Sequence, residues 1–180
     1  ISVHIADMLE LATVQALSYE LRNESIDMLI NNAGIYGSDK NTFGAVDVDS
    51  WLQTFQVNSI APLKMVEAFS EQLMMGQGKL VACMSSKMGS IADNGYGNSY
   101  IYRSSKAALN AVVKSLSIDL KEKGIISVAL HPGWVKTDMG GPDAEISSTE
   151  CVTQIFTHLS SLTINDSGRF IDIDGSVIPW

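Results

Sequence analysis

The sequence predicts an α/β fold, a doubly wound parallel sheet with helices on both faces, and three observations predict it. Strand-like and helix-period segments alternate along the whole chain. The strand-like runs are mostly apolar on both faces, as in "LVACM" and "ISVAL", which is how strands buried on both faces read. Three of these runs break into small or polar clusters: Asn31-Asn32-Ala33-Gly34, Ser85-Ser86 and His131-Pro132-Gly133-Trp134. In an open parallel sheet such clusters gather at one edge and line one crevice.

The elements follow in order. "ISVHIAD" is short and rich in β-branched residues, and a strand ending near Asp7 is expected. Met8, Leu11, Ala12, Val14, Leu17 and Leu21 recur at helical spacing over residues 8–22. "IDMLINNAG" reads as a strand entering a Gly-containing turn. One long amphipathic helix, with Pro62 inside it, is expected from about Asp49 to Met75. "GKLVACMSS" is the next strand, and residues 89–98 are a Gly- and Asn-rich loop. A helix from about Ser99 to Lys123 stops at Gly124, a residue suited to the left-handed turn after a helix. "IISVALHPG" is a strand, Ser147 and Glu150 have capping-box spacing for a further helix, and "GRFIDIDG" is the last strand. No repeat, low-complexity tract or linker interrupts the series, so residues 1–180 are read as one domain.

Composition narrows the function. With 180 residues, 46% hydrophobic and 18% charged, the chain can bury a real core. A formal net charge of −8 argues against nucleic-acid or anionic-membrane partners, which need a basic surface. No apolar run reaches membrane-spanning length and no signal-peptide pattern opens the chain, so a cytoplasmic location is expected. His4, His131 and His158 are scattered, and Cys83 and Cys151 form no metal-type pair. The two cysteines are expected to be buried, reduced thiols, and no metal site is expected.

The segment "YIYRSSKAALN" places Tyr102 and Lys106 four positions apart on one helical face. An ammonium beside a phenol favours the phenolate and lowers its pKa, so Tyr102 would serve as a general acid or base. Ser86, at the end of a strand, would hold a carbonyl oxygen beside it. With no metal site, a nucleotide cofactor is the expected hydride source. A Tyr/Lys pair at this spacing alone reads equally well as a surface contact worth a few tenths of a kcal/mol, roughly; "NNAG" following a strand is the more specific sign. Asn58 sits mid-helix four residues before Pro62, which has no N–H. Its carbonyl is therefore expected to lose its helical partner and to hold a water leading to Lys106. Met88, Trp134 and Met139 read either as a substrate wall or as ordinary packing, and His131 as structural.

Taken together, "NNAG", "SS", "YRSSK" and "HPGWVKTDM", in this order and over essentially the whole chain, resemble a short-chain dehydrogenase/reductase. "HPGWVKTDMGG" and "GRFIDIDGSVIPW" are most similar to the carbonyl-reductase branch that includes C-factor and the Sniffer-type reductases. The resemblance implies a Rossmann-like fold and reduction of an aldehyde or ketone by hydride transfer from NADP or NAD, with NADP preferred. It implies Tyr102 as acid/base, Lys106 as the residue that tunes it and binds ribose hydroxyls, Ser86 as the substrate-orienting serine and Asn58 as the anchor of a proton relay. Asp7 would meet the adenine ring, and Asn32, Ala33 and Gly34 would wall the adenosine ribose. Pro132, Gly133, Val135 and Thr137 would hold the carboxamide. The family spaces its serine closer to its tyrosine than Ser86 stands here, so Ser90 competes for that role.

One departure is large. The family opens with a strand and a Gly-rich turn that binds the pyrophosphate, and neither is in this sequence. The chain is expected to start at the family's third strand, N-terminally truncated by about two strand–helix units. This raises a rival reading, a signalling or interaction protein on a reductase scaffold, as the name C-factor implies. A sugar epimerase or dehydratase would need a substrate domain after the nucleotide domain, for which too little chain follows Gly133. The long helices over 49–75 and 99–123 resemble the pair that builds the family's dimer interface, so a homodimer or homotetramer is expected. The stripe Ala108, Val112, Leu116 and Leu120 fits either that interface or the core.

Overall fold

The computed structural model describes residues 1–180. From the amino end the elements are α1 (Leu11–Glu20), β1 (Met28–Asn31), a small hairpin of β2 (Asn41–Thr42) and β3 (Ala45–Val46), α2 (Val48–Phe55), α3 (Ala61–Ala68), α4 (Ser70–Met75), β4 (Leu80–Met84), α5 (Tyr100–Asp119), β5 (Ile126–Leu130), α6 (Ser148–Ser161) and β6 (Phe170–Ile171). β1, β4, β5 and β6 form one parallel sheet in that spatial order. All residues of β4 and β5 are buried, which is why their sequences are apolar without alternation. Val81 and Cys83 face a cluster with Val66, Leu109, Val113 and Phe170. Leu80, Ala82 and Met84 face the opposite cluster, with Cys151, Ile155 and Leu159 of α6. Helices therefore cover both faces, as expected for the doubly wound fold. Leu116 and Leu120 belong to the first cluster and Val112 packs against it, so these three positions serve the core. No helix is long and apolar enough to cross a membrane.

Two expected elements differ. Residues 1–7 form no strand; Val3 and Ile5 are 87% and 96% exposed. A strand is stabilised by hydrogen bonds to a neighbour, and β1, at the sheet edge, pairs with β4 alone. Asp7 instead organises the entry to α1: its Oδ1 accepts the Leu9 N–H at 2.8 Å and its N–H donates to Thr13 Oγ1 at 2.9 Å. The long helix over 49–75 is also divided. A π-turn over Gln56–Ile60 separates α2 from α3, and Phe69 separates α3 from α4. Pro62 cannot donate the N–H that would close an α-type bond to Asn58, so a widened turn just before it is the physical outcome. Asn58, fully buried, sits in that turn.

Candidate active site

The carboxyl ends of β1, β4 and β5 open into one cavity of about 980 Å³. Its walls come from Asn32–Gly34, Ser85–Met88 and His131–Val135, with Tyr102 and Lys106 of α5 reaching in from the side. Glycine makes the close approach of α5 possible. At Gly89, a Cβ would stand 2.8 Å from the backbone carbon of Lys106, so only glycine lets the loop after β4 press against the helix. Ser85 Oγ donates to Asn110 Oδ1 at 2.6 Å, and Asn110 Nδ2 donates to the Gly89 carbonyl at 3.3 Å. These bonds fasten the loop carrying Ser86 to the helix carrying Tyr102.

Tyr102 is 9% exposed and Lys106 4%. Burial pushes the Tyr102 phenol above its ordinary value; the Ser86 hydroxyl opposes the shift and Tyr36 adds to it. The expected lowering by Lys106 is therefore not what the structure shows. Lys106 Nζ donates to the Met84 carbonyl at 2.7 Å and stands 5.6 Å from the centre of the Tyr102 ring. Burial lowers Lys106 itself to about 8, partly offset by the Cys83 thiol. Both groups have lost water, and desolvation disfavours the charged form of each. Cys83, behind them, is pushed up to about 11 by burial, and both cysteines are free and buried.

The two candidate serines separate cleanly. Ser86 lines the cavity and accepts the Met88 N–H at 3.2 Å. Ser90 does not line it: its hydroxyl donates to the Pro179 carbonyl at 2.6 Å and accepts the Asp93 N–H at 3.1 Å. Asn58 uses its whole side chain on protein partners. Oδ1 accepts the Ile35 N–H at 2.9 Å, and Nδ2 donates to the Ile35 carbonyl at 2.8 Å and to Ser105 Oγ at 3.0 Å. A Cβ on Gly34 would stand 3.4 Å from both Asn58 Oδ1 and Lys106 Nζ, so the two side chains flank one narrow backbone position.

Asn32, Ala33, Gly34, Pro132, Gly133, Val135 and Thr137 all border the same cavity, as do Met88, Trp134 and Met139. Trp134 and Met139 are about half exposed, at 49% and 52%, at its open side. Asp7 is not brought to it; it lies in the exposed turn before α1. Several wall residues escaped the sequence reading: Tyr36, Met84, and Ser148, Cys151, Val152 and Ile155 of α6. The capping box at Ser147 announced that helix but not that its first turns face the crevice. His131 Nδ1 is buried without a hydrogen-bond partner beside the cavity, and burial lowers its pKa.

Residues 3–146 match the family model for short chain dehydrogenase. The chain belongs to the short-chain dehydrogenase family. Among relatives of this dehydrogenase, C-signal of Myxococcus xanthus is 44% identical over 155 residues, covering 86% of this chain and 93% of that protein. The carbonyl reductase Sniffer of D. melanogaster superposes with a TM-score of 0.93 at 35% identity, covering 100% of this chain and 78% of Sniffer. An NADPH-bound carbonyl reductase from chicken fatty liver superposes at 0.88 with 34% identity, over 97% of this chain and 75% of that one. The chain is thus an oxidoreductase of the C-factor and Sniffer-like type, and the chicken carbonyl reductase among its relatives holds the nicotinamide cofactor NADPH. The crevice residues fit the nicotinamide end of that group: a buried ammonium at Lys106, a side-chain-free wall at Gly34 and a turn at Gly133 with φ 78 lie around one cavity.

Proposed function

We propose that this dehydrogenase reduces an aldehyde or ketone with NADPH, NADP being favoured over NAD because the similar chicken enzyme binds NADPH. One observation carries the reading: Ser86, Tyr102 and Lys106, all buried, converge on a single cavity. A carbonyl oxygen is held between Ser86 Oγ and the Tyr102 hydroxyl. The cofactor, when bound, supplies hydride for the carbonyl carbon. Tyr102, a phenol already protonated at neutral pH and shifted further that way by burial, delivers a proton to the oxygen, so that charge never accumulates there. Lys106, charged below about pH 8, faces the resulting phenolate and would bind the ribose hydroxyls of the cofactor. The main-chain carbonyl of Asn58 anchors water that returns a proton to this pair, a step that Pro62→Ala would slow by partly closing the carbonyl.

Asn32, Ala33, Gly34, Pro132, Gly133, Val135 and Thr137 would hold the cofactor, while Met88, Trp134 and Met139 would contact the apolar part of the substrate. The exposed Val48 and Leu52 of α2 and Ile118 of α5 support assembly into a homodimer or homotetramer. A cytoplasmic location accords with two free cysteines. The match over 93% of C-signal favours a second reading, a signalling protein on this scaffold, in which Tyr102 would be dispensable. Fluorescence titration with NADPH and NADH tests the first. Micromolar binding of NADPH, tighter than NADH, is expected; a folded protein that binds neither would contradict it.

A further inference from the structure

Tyr36 follows the Asn32–Gly34 wall by two residues and has no part in the mechanism above. Its ring stacks on that of Tyr102, with centroids 4.6 Å apart and planes 24° from parallel. Its hydroxyl shares a 3.1 Å hydrogen bond with Ser99 Oγ. The backbone is fixed on both sides of it. Asn58 closes on the N–H and the carbonyl of Ile35. Gly37, at φ 88, packs where a Cβ would stand 2.7 Å from Ile101 and 2.9 Å from Thr54. Ser99 is equally committed. It is the N-cap of α5 but adopts a left-handed conformation, φ 48 and ψ 42, and makes no capping bond. A serine there ordinarily accepts an N–H of the first turn; this one meets Tyr36 instead. The loop after β1 and the start of α5 are thereby joined over the catalytic phenol.

We propose that Tyr36 is a positioning residue for Tyr102, its stacked ring, held by Ser99, covering one face of the phenol and confining the Tyr102 hydroxyl to the Ser86 side of the cavity. The inference rests on the reading of Tyr102 as acid/base. It also accounts for part of the burial that pushes the Tyr102 phenol above its ordinary value, since the covering ring excludes water from that face. A stacked ring further limits the ring flips and swings that would take the hydroxyl out of line with a carbonyl held by Ser86.

The test compares Tyr36→Ala, Tyr36→Leu and Tyr36→Phe with the unsubstituted protein, using Tyr102→Phe as the reference that isolates the Tyr102 signal in ultraviolet tyrosinate titration. Tyr36→Ala is expected to let Tyr102 ionise at lower pH. It is also expected to cut kcat for carbonyl reduction about three- to tenfold, the worth of an aromatic pair, with little change in KM. Tyr36→Phe, which keeps the stacked ring but loses the bond to Ser99, should recover most of both. If Tyr36→Ala fails to fold, Tyr36→Leu, which fills the space without stacking, carries the same expectation. An unchanged Tyr102 titration in the Ala and Leu variants, or a Phe variant as impaired as they are, would overturn the proposal. No carbonyl reduction by the unsubstituted protein with NADPH would overturn the acid–base reading. The ultraviolet curves need no cofactor and would then decide the role of the stack by themselves.

Discussion

Residues 1–7 and β4 are both short apolar runs with strand composition, and they meet opposite fates. β4 lies between β1 and β5, and all five of its residues are buried. Residues 1–7 pair with nothing and hold Ile1, Val3 and Ile5 in water. An apolar run becomes a strand only where neighbours complete its hydrogen bonds and cover its faces. Three of the proposed catalytic groups hang from the first kind of region. Ser86 follows β4, Tyr102 and Lys106 lie on the helix packed across it, and the Lys106 ammonium bonds the carbonyl of Met84, the last β4 residue. Asp7, the one site candidate carried by the second kind, is absent from the crevice.

Substitutions in the two regions test that contrast. The largest effect is expected at the supported sheet: Phe170→Ala, removing a fully buried ring stacked on Trp180, should cost about 3–5 kcal/mol in denaturant unfolding. Ser86→Ala should cut kcat about a hundredfold or more and cost about 0.5–1 kcal/mol of stability, because the Met88 N–H loses its acceptor. Lys106→Met separates stability from function. It should abolish most turnover yet raise stability near neutral pH by about 1–3 kcal/mol, because a charge is no longer held out of water.

The sign for Lys106 follows from its lowered pKa. Between about 8 and the ordinary lysine value the folded protein binds fewer protons there than the unfolded chain. Stability therefore rises with pH through that window, and the rise should vanish in Lys106→Met. The kcat/KM for reduction should fall over the same rise through about pH 8, as Lys106 loses its charge.

Ser90→Ala should do the reverse of Ser86→Ala. It should lose about 1–2 kcal/mol of stability by leaving the Pro179 carbonyl unpaired, with turnover preserved. At the bottom of the scale, Ile5→Ser, in the exposed segment, should change stability by under about 0.5 kcal/mol.

The same contrast explains what was legible in the sequence. β4 and β5 were, because burial on both faces leaves a mostly apolar run without alternation. The crevice was, because three strands end in small and polar residues at one edge. Helix division at Asn58 was only half legible: Pro62 marked the lost hydrogen bond, but the shift to a π-turn depends on how α3 packs. Ser86 is favoured over Ser90 in the sequence because it directly follows a strand; what occupies Ser90 depends on the path of the C-terminal residues, since Pro179 takes its hydroxyl. Tyr36 was hidden because its partners Tyr102 and Ser99 are more than sixty residues away in the chain, and no local pattern encodes such a meeting. The direction of the Tyr102 shift was misjudged because spacing reports a neighbouring charge but not the water lost around it.

The most direct measurement is NADPH consumption over a panel of aldehydes and ketones by the unsubstituted protein and by Tyr102→Phe, with NADPH binding followed in parallel. Turnover in the first, a loss of about a thousandfold in the second and unchanged NADPH binding in both is the result expected. Equal turnover in the two proteins would show that the phenol at the centre of this crevice is not the proton donor, and would contradict the mechanism.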